Sequence, residues 1–256
     1  MNGITYRLQN FIRKERCSLL LDASAGLSLG TLPGLEDFSQ SVRAILPLVD
    51  GIVCSPGQIS KLNPLQKTDA SLLVRMDWNN TLRGPGFVLP AASAQLIPIL
   101  SAQDALDLGA AGMVSTFLLG YEEAIEAACL KSTVQLALEG KAIGIPLVVE
   151  IQTSGPRVSH PGKAVELGAS YALEGGADVI VVPFPGLKSL ATIGQFVSVS
   201  WLLKPSSLAQ AQVELQAALD TGAAGLWLDH SVFANGNASV EMEPFQHIRR
   251  TSRLQE

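Results

Sequence analysis

Eight short apolar runs, separated by longer helix-compatible segments, constrain this chain more than any other feature. The runs fall at residues 18–21, 51–54, 72–76, 112–115, 146–151, 179–182, 196–203 and 226–228. Each is about strand length, and several are apolar at consecutive positions, which leaves no face for water. Such strands belong in a parallel sheet covered by helices, and their alternation with helical segments predicts an α/β fold. Eight strands fit closure into a (β/α)8 TIM barrel. The 256 residues are close to the ~250 that such a barrel occupies as one domain.

A weak internal repeat points the same way. Leu108-Gly-Ala-Ala-Gly-Met-Val-Ser115, Gly175-Gly-Ala-Asp-Val-Ile-Val-Val182 and Thr221-Gly-Ala-Ala-Gly-Leu-Trp-Leu228 resemble one another. In each, a helix is expected to end on a glycine in the left-handed region, followed at once by a buried strand. Residues 102–108, 161–174 and 207–221 carry the helical spacing that this requires, with Ser206-Ser207 as the expected N-cap of the third. Residues 79–86 and 153–162 read as loops at the face where barrels place their active sites. We expect a single domain over 1–256, with an N-terminal extension at 1–16 and a polar, fraying C-terminal tail at 236–256.

Hydrophobic residues make up 47% of the chain and charged residues 16%, which is enough to bury a large core. A net charge of -5 gives no basic field for nucleic acid or anionic lipid. The expected partner is a small molecule or another protein, with no nucleic acid and no membrane. Cys17, Cys54 and Cys129 are too few and too scattered for a disulfide framework or a zinc site. The first residues carry charges without a long apolar stretch, and no run reaches the ~20 residues of a spanning helix, so a cytoplasmic location is expected.

Asp22, Arg75, Asp77, Glu150, Asp229 and His230 fall at or near the ends of expected strands. A charge in the middle of a buried strand is costly, whereas the C-terminal rim of a barrel is where function sits. Arg75 and Asp77 share parity and are expected to face one side of their strand. Salt bridges closing the top of the barrel are the structural reading of these charges, and substrate binding the functional one. Lys204 follows the seventh run. Desolvation at the mouth would make it a nucleophile, and a loop opened by Lys204-Pro205 would instead leave it in water. Asp229-His230 reads as an acid–base pair or, with Glu150, as metal ligands, although no tight ligand spacing is present. Trp78 and Trp201 stack on a ligand or plug the mouth.

Several short segments, in order, carry a family resemblance. They are Leu19-Leu-Leu-Asp-Ala-Ser24, Gly34-Leu-Glu-Asp37, Val49-Asp-Gly-Ile-Val53 with Gly57, Gly144-Ile-Pro-Leu-Val148, Gly176-Ala-Asp-Val179, Gly222-Ala-Ala-Gly-Leu226 and Val232-Phe233. Through them the chain resembles the archaeal-type class I fructose-bisphosphate aldolases and their relatives over nearly its whole length. The resemblance implies a class I aldolase-like TIM barrel, a homo-oligomer, and a lysine on the sixth strand that forms a Schiff base with a ketose phosphate. A protonated imine is an electron sink, so the carbon–carbon bond beside it can break.

Carried over residue by residue, the strand-one aspartate is Asp22, and the histidine beside it is replaced by Ala23. The sixth-strand lysine falls on Val181 or, with a one-residue slip, on Val182. The fifth-strand tyrosine falls near Gln152. The glycine pair after strand seven falls on Trp201-Leu202, and the Gly-Arg pair at strand eight on Asp229-His230. We therefore expect a divergent family member of inherited carbon–carbon lyase class, inactive as an ordinary Schiff-base fructose-bisphosphate aldolase. The candidate catalytic residues are Asp22, Lys204, Asp229 and His230, and the candidate substrate-binding residues are Arg75, Asp77, Glu150 and Gln152. No cofactor is expected. A noncatalytic binding, regulatory or assembly protein, and a metal-assisted enzyme using the acidic rim, are the alternatives.

Overall fold

The computed structural model describes residues 3–62 and 70–251. The first two residues of the expected extension and the last five of the expected tail lie outside the described residues. In chain order the strands are β1 (Ser18–Asp22), β2 (Gly51–Cys54), β3 (Ser71–Arg75), β4 (Asp77–Asn79), β5 (Leu96–Pro98), β6 (Gly112–Leu118), β7 (Leu147–Gln152), β8 (Val179–Pro183), β9 (Ser200–Lys204) and β10 (Gly225–Leu228). All but β4 and β5 close one barrel in the order β1-β10-β9-β8-β7-β6-β3-β2, with every pairing parallel. The eight expected runs are the eight barrel strands.

The helices are α1 (Gly3–Leu8), α2 (Gly26–Leu29), α3 (Phe38–Ile45), α4 (Pro56–Leu62), α5 (Ala102–Asp107), α6 (Glu123–Ile143), α7 (Pro161–Glu174), α8 (Leu187–Phe196), α9 (Ala211–Leu219) and α10 (Ala238–Thr251). The repeated helix ends fold as their glycines dictate. Gly109, Gly176 and Gly222 have φ of 75°, 92° and 98°, a region that side chains resist. No described helix is long and apolar enough to cross a membrane.

Alternation along each strand splits the core in two. Leu20, Val53, Leu73, Val114, Val148, Val179, Val181, Leu202 and Trp227 fill the barrel interior, while their outward neighbours pack under the helices. Phe11 belongs to the interior set and is 0% exposed. Gly51 and Gly112 make room for it: a Cβ on either would come within 3.3 Å of Phe11. The expected N-terminal extension therefore plugs the floor of the barrel. It is tied down by Asp50, whose carboxylate accepts from Arg13 at 3.2 Å, Arg16 at 2.6 Å and Arg249 of α10 at 2.8 Å. Phe11→Ala is expected to cost about 3–5 kcal/mol of stability, measured by denaturant unfolding, because the rigid barrel cannot collapse onto the cavity.

Three expectations need correction. The fraying tail is instead α10, a helix despite Pro244, with Met242 and Phe245 buried. The seventh run is shorter than expected, because Phe196 ends α8 and β9 starts only at Ser200. Ser206-Ser207 does not cap α9, which starts at Ala211; Ser206 instead donates to Glu214, and Ser207 Oγ accepts the Gln210 amide. The expected loop at 79–86 is present, and it belongs to an antiparallel hairpin of β4 and β5.

Candidate active site

The C-terminal ends of the barrel strands bring the candidate residues to one cavity. Asp22, Arg75, Asp77, Glu150, Gln152, Lys204, Asp229 and His230 all line it. Inward parity and strand length decide this: Asp22, Arg75 and Lys204 each end a strand, and Glu150 sits near the end of β7. The cavity encloses about 70 Å³.

An unbroken chain of charge crosses this mouth. Ser24 donates its hydroxyl to Asp22 Oδ1 at 2.6 Å and its amide to the same oxygen at 2.8 Å. Arg75 donates to Asp22 Oδ2, to Glu150 Oε2 at 2.8 Å, to Thr116 Oγ1 at 3.1 Å and to Ser24 Oγ at 3.1 Å. The other oxygen of Glu150 accepts from Lys204 Nζ at 2.8 Å. Thr116 passes its hydroxyl proton on to Asp77 Oδ1 at 2.9 Å, and its amide donates to Asp77 Oδ2 at 2.5 Å. Two anions and two cations thus alternate from β1 through β3 and β7 to β9. Buried ions persist only when paired and hydrogen-bonded in this way.

The expected Arg75 and Asp77 partnership takes a different form. Both face the mouth, but Arg75 is bridged to Asp22 and Glu150, and Asp77 is held by Thr116. Lys204 is not a solvated loop residue: it ends β9 and its side chain is 25% exposed. Gln152 Oε1 stands 3.3 Å from the Thr81 hydroxyl of the hairpin loop. Asp229 Oδ1 accepts the Ser231 amide at 3.0 Å, and His230 begins a short 3-10 turn, His230–Phe233. Trp201 does not plug the mouth but lies buried under the helices, and Trp78 carries Arg83 at 5.2 Å over its ring. Val181 faces the barrel interior and Val182 the helices.

Burial works against charge at each of these groups, and the neighbours decide the outcome. Burial disfavours the Glu150 carboxylate, yet Lys204 and Arg75 outweigh it and hold the carboxyl below the usual range. Burial likewise opposes the Lys204 ammonium, and Glu150 outweighs it, so the amine stays above the ordinary lysine value. Asp77 goes the other way: burial dominates and raises it despite Arg75 and Thr116. For Asp229 burial is outweighed by Ser231 and Lys204, which keep it ionised.

Sequence reasoning missed Ser24, Thr116 and the pairing of β4 with β5 around the expected loop. The apolar run expected to end at 115 continues as a strand to Leu118, and the polar Ser115-Thr116 pair masks that continuation in the sequence. Among the described residues, no group of three or more His, Cys, Asp or Glu is placed to hold a metal ion.

No protein-family model and no curated protein matches the sequence. Solved structures do match the fold. A Schiff-base-forming fructose-1,6-bisphosphate aldolase superposes with a TM-score of 0.79 at 19% identity, covering 96% of this chain and 99% of that one. An archaeal fructose 1,6-bisphosphate aldolase gives 0.79 at 18%, covering 97% and 100%. A fructose-bisphosphate aldolase from Slackia heliotrinireducens gives 0.73 at 16%, covering 94% and 82%. At these identities the likeness is one of fold, and it agrees with the aldolase-like barrel expected from the sequence.

Proposed function

We propose that this chain is an aldolase-type carbon–carbon lyase that forms its imine on Lys204, from the seventh barrel strand, with an unphosphorylated carbonyl compound. The observation that carries the reading is the Lys204–Glu150 pair, 2.8 Å apart inside the mouth of an aldolase-like barrel. Lys204 is the one lysine among the described residues that lines this cavity. Its partner register places it opposite Pro183, and it leans across β8 to reach Glu150 on β7. An amine beside a carboxylate is the minimum that imine formation and enamine protonation require. The ionised Asp229 beside Lys204 disfavours a phosphate, so no retro-aldol cleavage of fructose 1,6-bisphosphate is expected.

The neutral amine is the nucleophile, and Glu150 holds Lys204 protonated. Its reactive fraction therefore grows about tenfold per pH unit until the raised pKa is reached, above the ordinary ~10.4. Reductive trapping of a small ketone with cyanoborohydride is expected to accelerate in that way between about pH 7 and 9. A flat profile over that range contradicts a reactive amine held by Glu150.

The closed charge chain also favours a second reading, a noncatalytic barrel, because every ion in it already has a partner. That reading predicts no adduct at any pH. The metal-assisted reading has no ligand set among the described residues in its support: Asp22 and Glu150 are engaged by cations.

A further inference from the structure

A second group of ions lies on the barrel floor, at the end opposite the mouth. Arg13 and Arg16 precede β1 and Asp50 precedes β2, so all three stand at strand entries. Arg249 reaches the same carboxylate from α10. The Asp50 side chain is fully buried, whereas Arg13 and Arg16 keep 27% and 31% of theirs in solvent.

The two signs do not balance there. Asp50 Oδ1 accepts from Arg13 Nε at 3.2 Å, Arg16 Nη2 at 2.6 Å and Arg249 Nη2 at 2.8 Å. Its Oδ2 accepts from Arg16 Nη1 at 3.1 Å and from the Leu19 amide at 3.0 Å. A carboxylate has about four acceptor positions, so these donors exhaust it. Among the described residues, every ion pair of the three arginines ends on Asp50. Three cations therefore share one anion, a local surplus of two positive charges in a chain of net charge -5. Donors are in surplus as well. Each guanidinium carries about five N–H groups, and the buried Arg249 Nε has no acceptor at all.

The geometry points to a binding site on the floor for a small phosphate dianion, free or as a monoester, held by the solvent-facing sides of Arg13 and Arg16. Two negative charges match the surplus, and the fork of a guanidinium fits a pair of phosphate oxygens. A singly charged carboxylate would leave one cation unmatched. Arg13 and Arg16 follow Phe11 by a few residues, so occupancy clamps the plug from outside while Asp50 holds it from within. The site is independent of the chemistry proposed for Lys204, which lies at the other end of the barrel.

The test is calorimetric titration of the intact protein with inorganic phosphate at about pH 8, where phosphate is a dianion, with ionic strength held constant by chloride. One saturable site per chain is expected. Arg16→Gln leaves Asp50 with Arg13 and Arg249, so it is expected to fold and to weaken phosphate about tenfold or more. Should that variant unfold, Arg13→Gln reads the same loss. Lys14→Gln removes an exposed neighbouring charge that does not reach Asp50, and Lys204→Met removes the cation at the mouth. Both are expected to leave the affinity within about twofold of wild type. Acetate is expected to bind about tenfold more weakly than phosphate. Methyl phosphate is expected to match it, because the arginines grip the oxyanion and not its substituent; tighter binding of the ester also supports the site and assigns it to monoesters. No saturation by phosphate overturns the inference. So does an equal loss in Lys14→Gln, which signals a diffuse field, or a loss in Lys204→Met, which moves the anion to the mouth.

Discussion

Lys204→Met is expected to lose the reduced ketone adduct entirely, to below about a thousandth of the wild-type yield. Methionine keeps most of the length of the side chain and removes the amine. Lys204→Arg is expected to fail equally. A guanidinium keeps the ion pair with Glu150 but does not deprotonate in water, so it has no nucleophilic form. Neither variant should unfold. Glu150 retains Arg75 at 2.8 Å, and Lys204 sits at the rim with a quarter of its side chain in solvent. The pair of variants separates chemistry from packing. If Lys204→Arg still forms an adduct, the reacting amine lies elsewhere. If both variants unfold, Lys204 is a structural ion.

Arg75→Met is expected to lose about 3–5 kcal/mol of stability, as much as Phe11→Ala. Arg75 is the hub of the mouth: its side chain is 7% exposed and it holds Asp22, Glu150, Ser24 and Thr116. Removing it leaves a buried Asp22 with only Ser24 and a buried Glu150 with only Lys204. At this chain length the loss corresponds to a Tm lower by roughly 10 °C. The pH dependence carries a sign. Glu150 is depressed in the folded protein, so its contribution is present above its unfolded pKa of about 4.3 and is lost as pH falls through the lower folded value. In Arg75→Met, Glu150 has lost one of the two cations that depress it, and it protonates earlier. The stability gap between variant and wild type is therefore expected to narrow as pH falls from about 5 toward about 3. A gap that widens on acidification contradicts this electrostatic account.

The barrel was legible because its strands are buried on both faces and its helix ends are spelled out by glycine. The repeats at Gly109, Gly176 and Gly222 state a helix end, a left-handed residue and a strand entry within a few positions. The remainder needed three dimensions. β4 and β5 have three residues each, too few for a period of two to register, and Pro98 argues against a strand. Phe11 stands in a stretch of charges, and nothing local says that it enters the barrel. Likewise, Met242 and Phe245 are diluted by polar residues and Pro244, so α10 read as a tail.

The site divides in the same way. That charges at strand ends converge followed from topology. Which charge meets which did not, because Arg75 and Glu150 are 75 residues apart and Lys204 and Glu150 are 54 apart. The direction of the Lys204 shift depends on its anionic neighbours, Glu150 first and then Asp229 and Asp22. Alone in the mouth the amine would be depressed by burial, and beside Glu150 it is raised.

The most direct test of the account is the location of the reduced adduct. The intact protein is incubated with dihydroxyacetone and cyanoborohydride at about pH 9, digested, and mapped by peptide mass. The account predicts one saturable modification, on the peptide that carries Lys204. Modification confined to other lysines, or none at saturating ketone, would contradict it and leave the charge chain as a structural closure of a noncatalytic barrel.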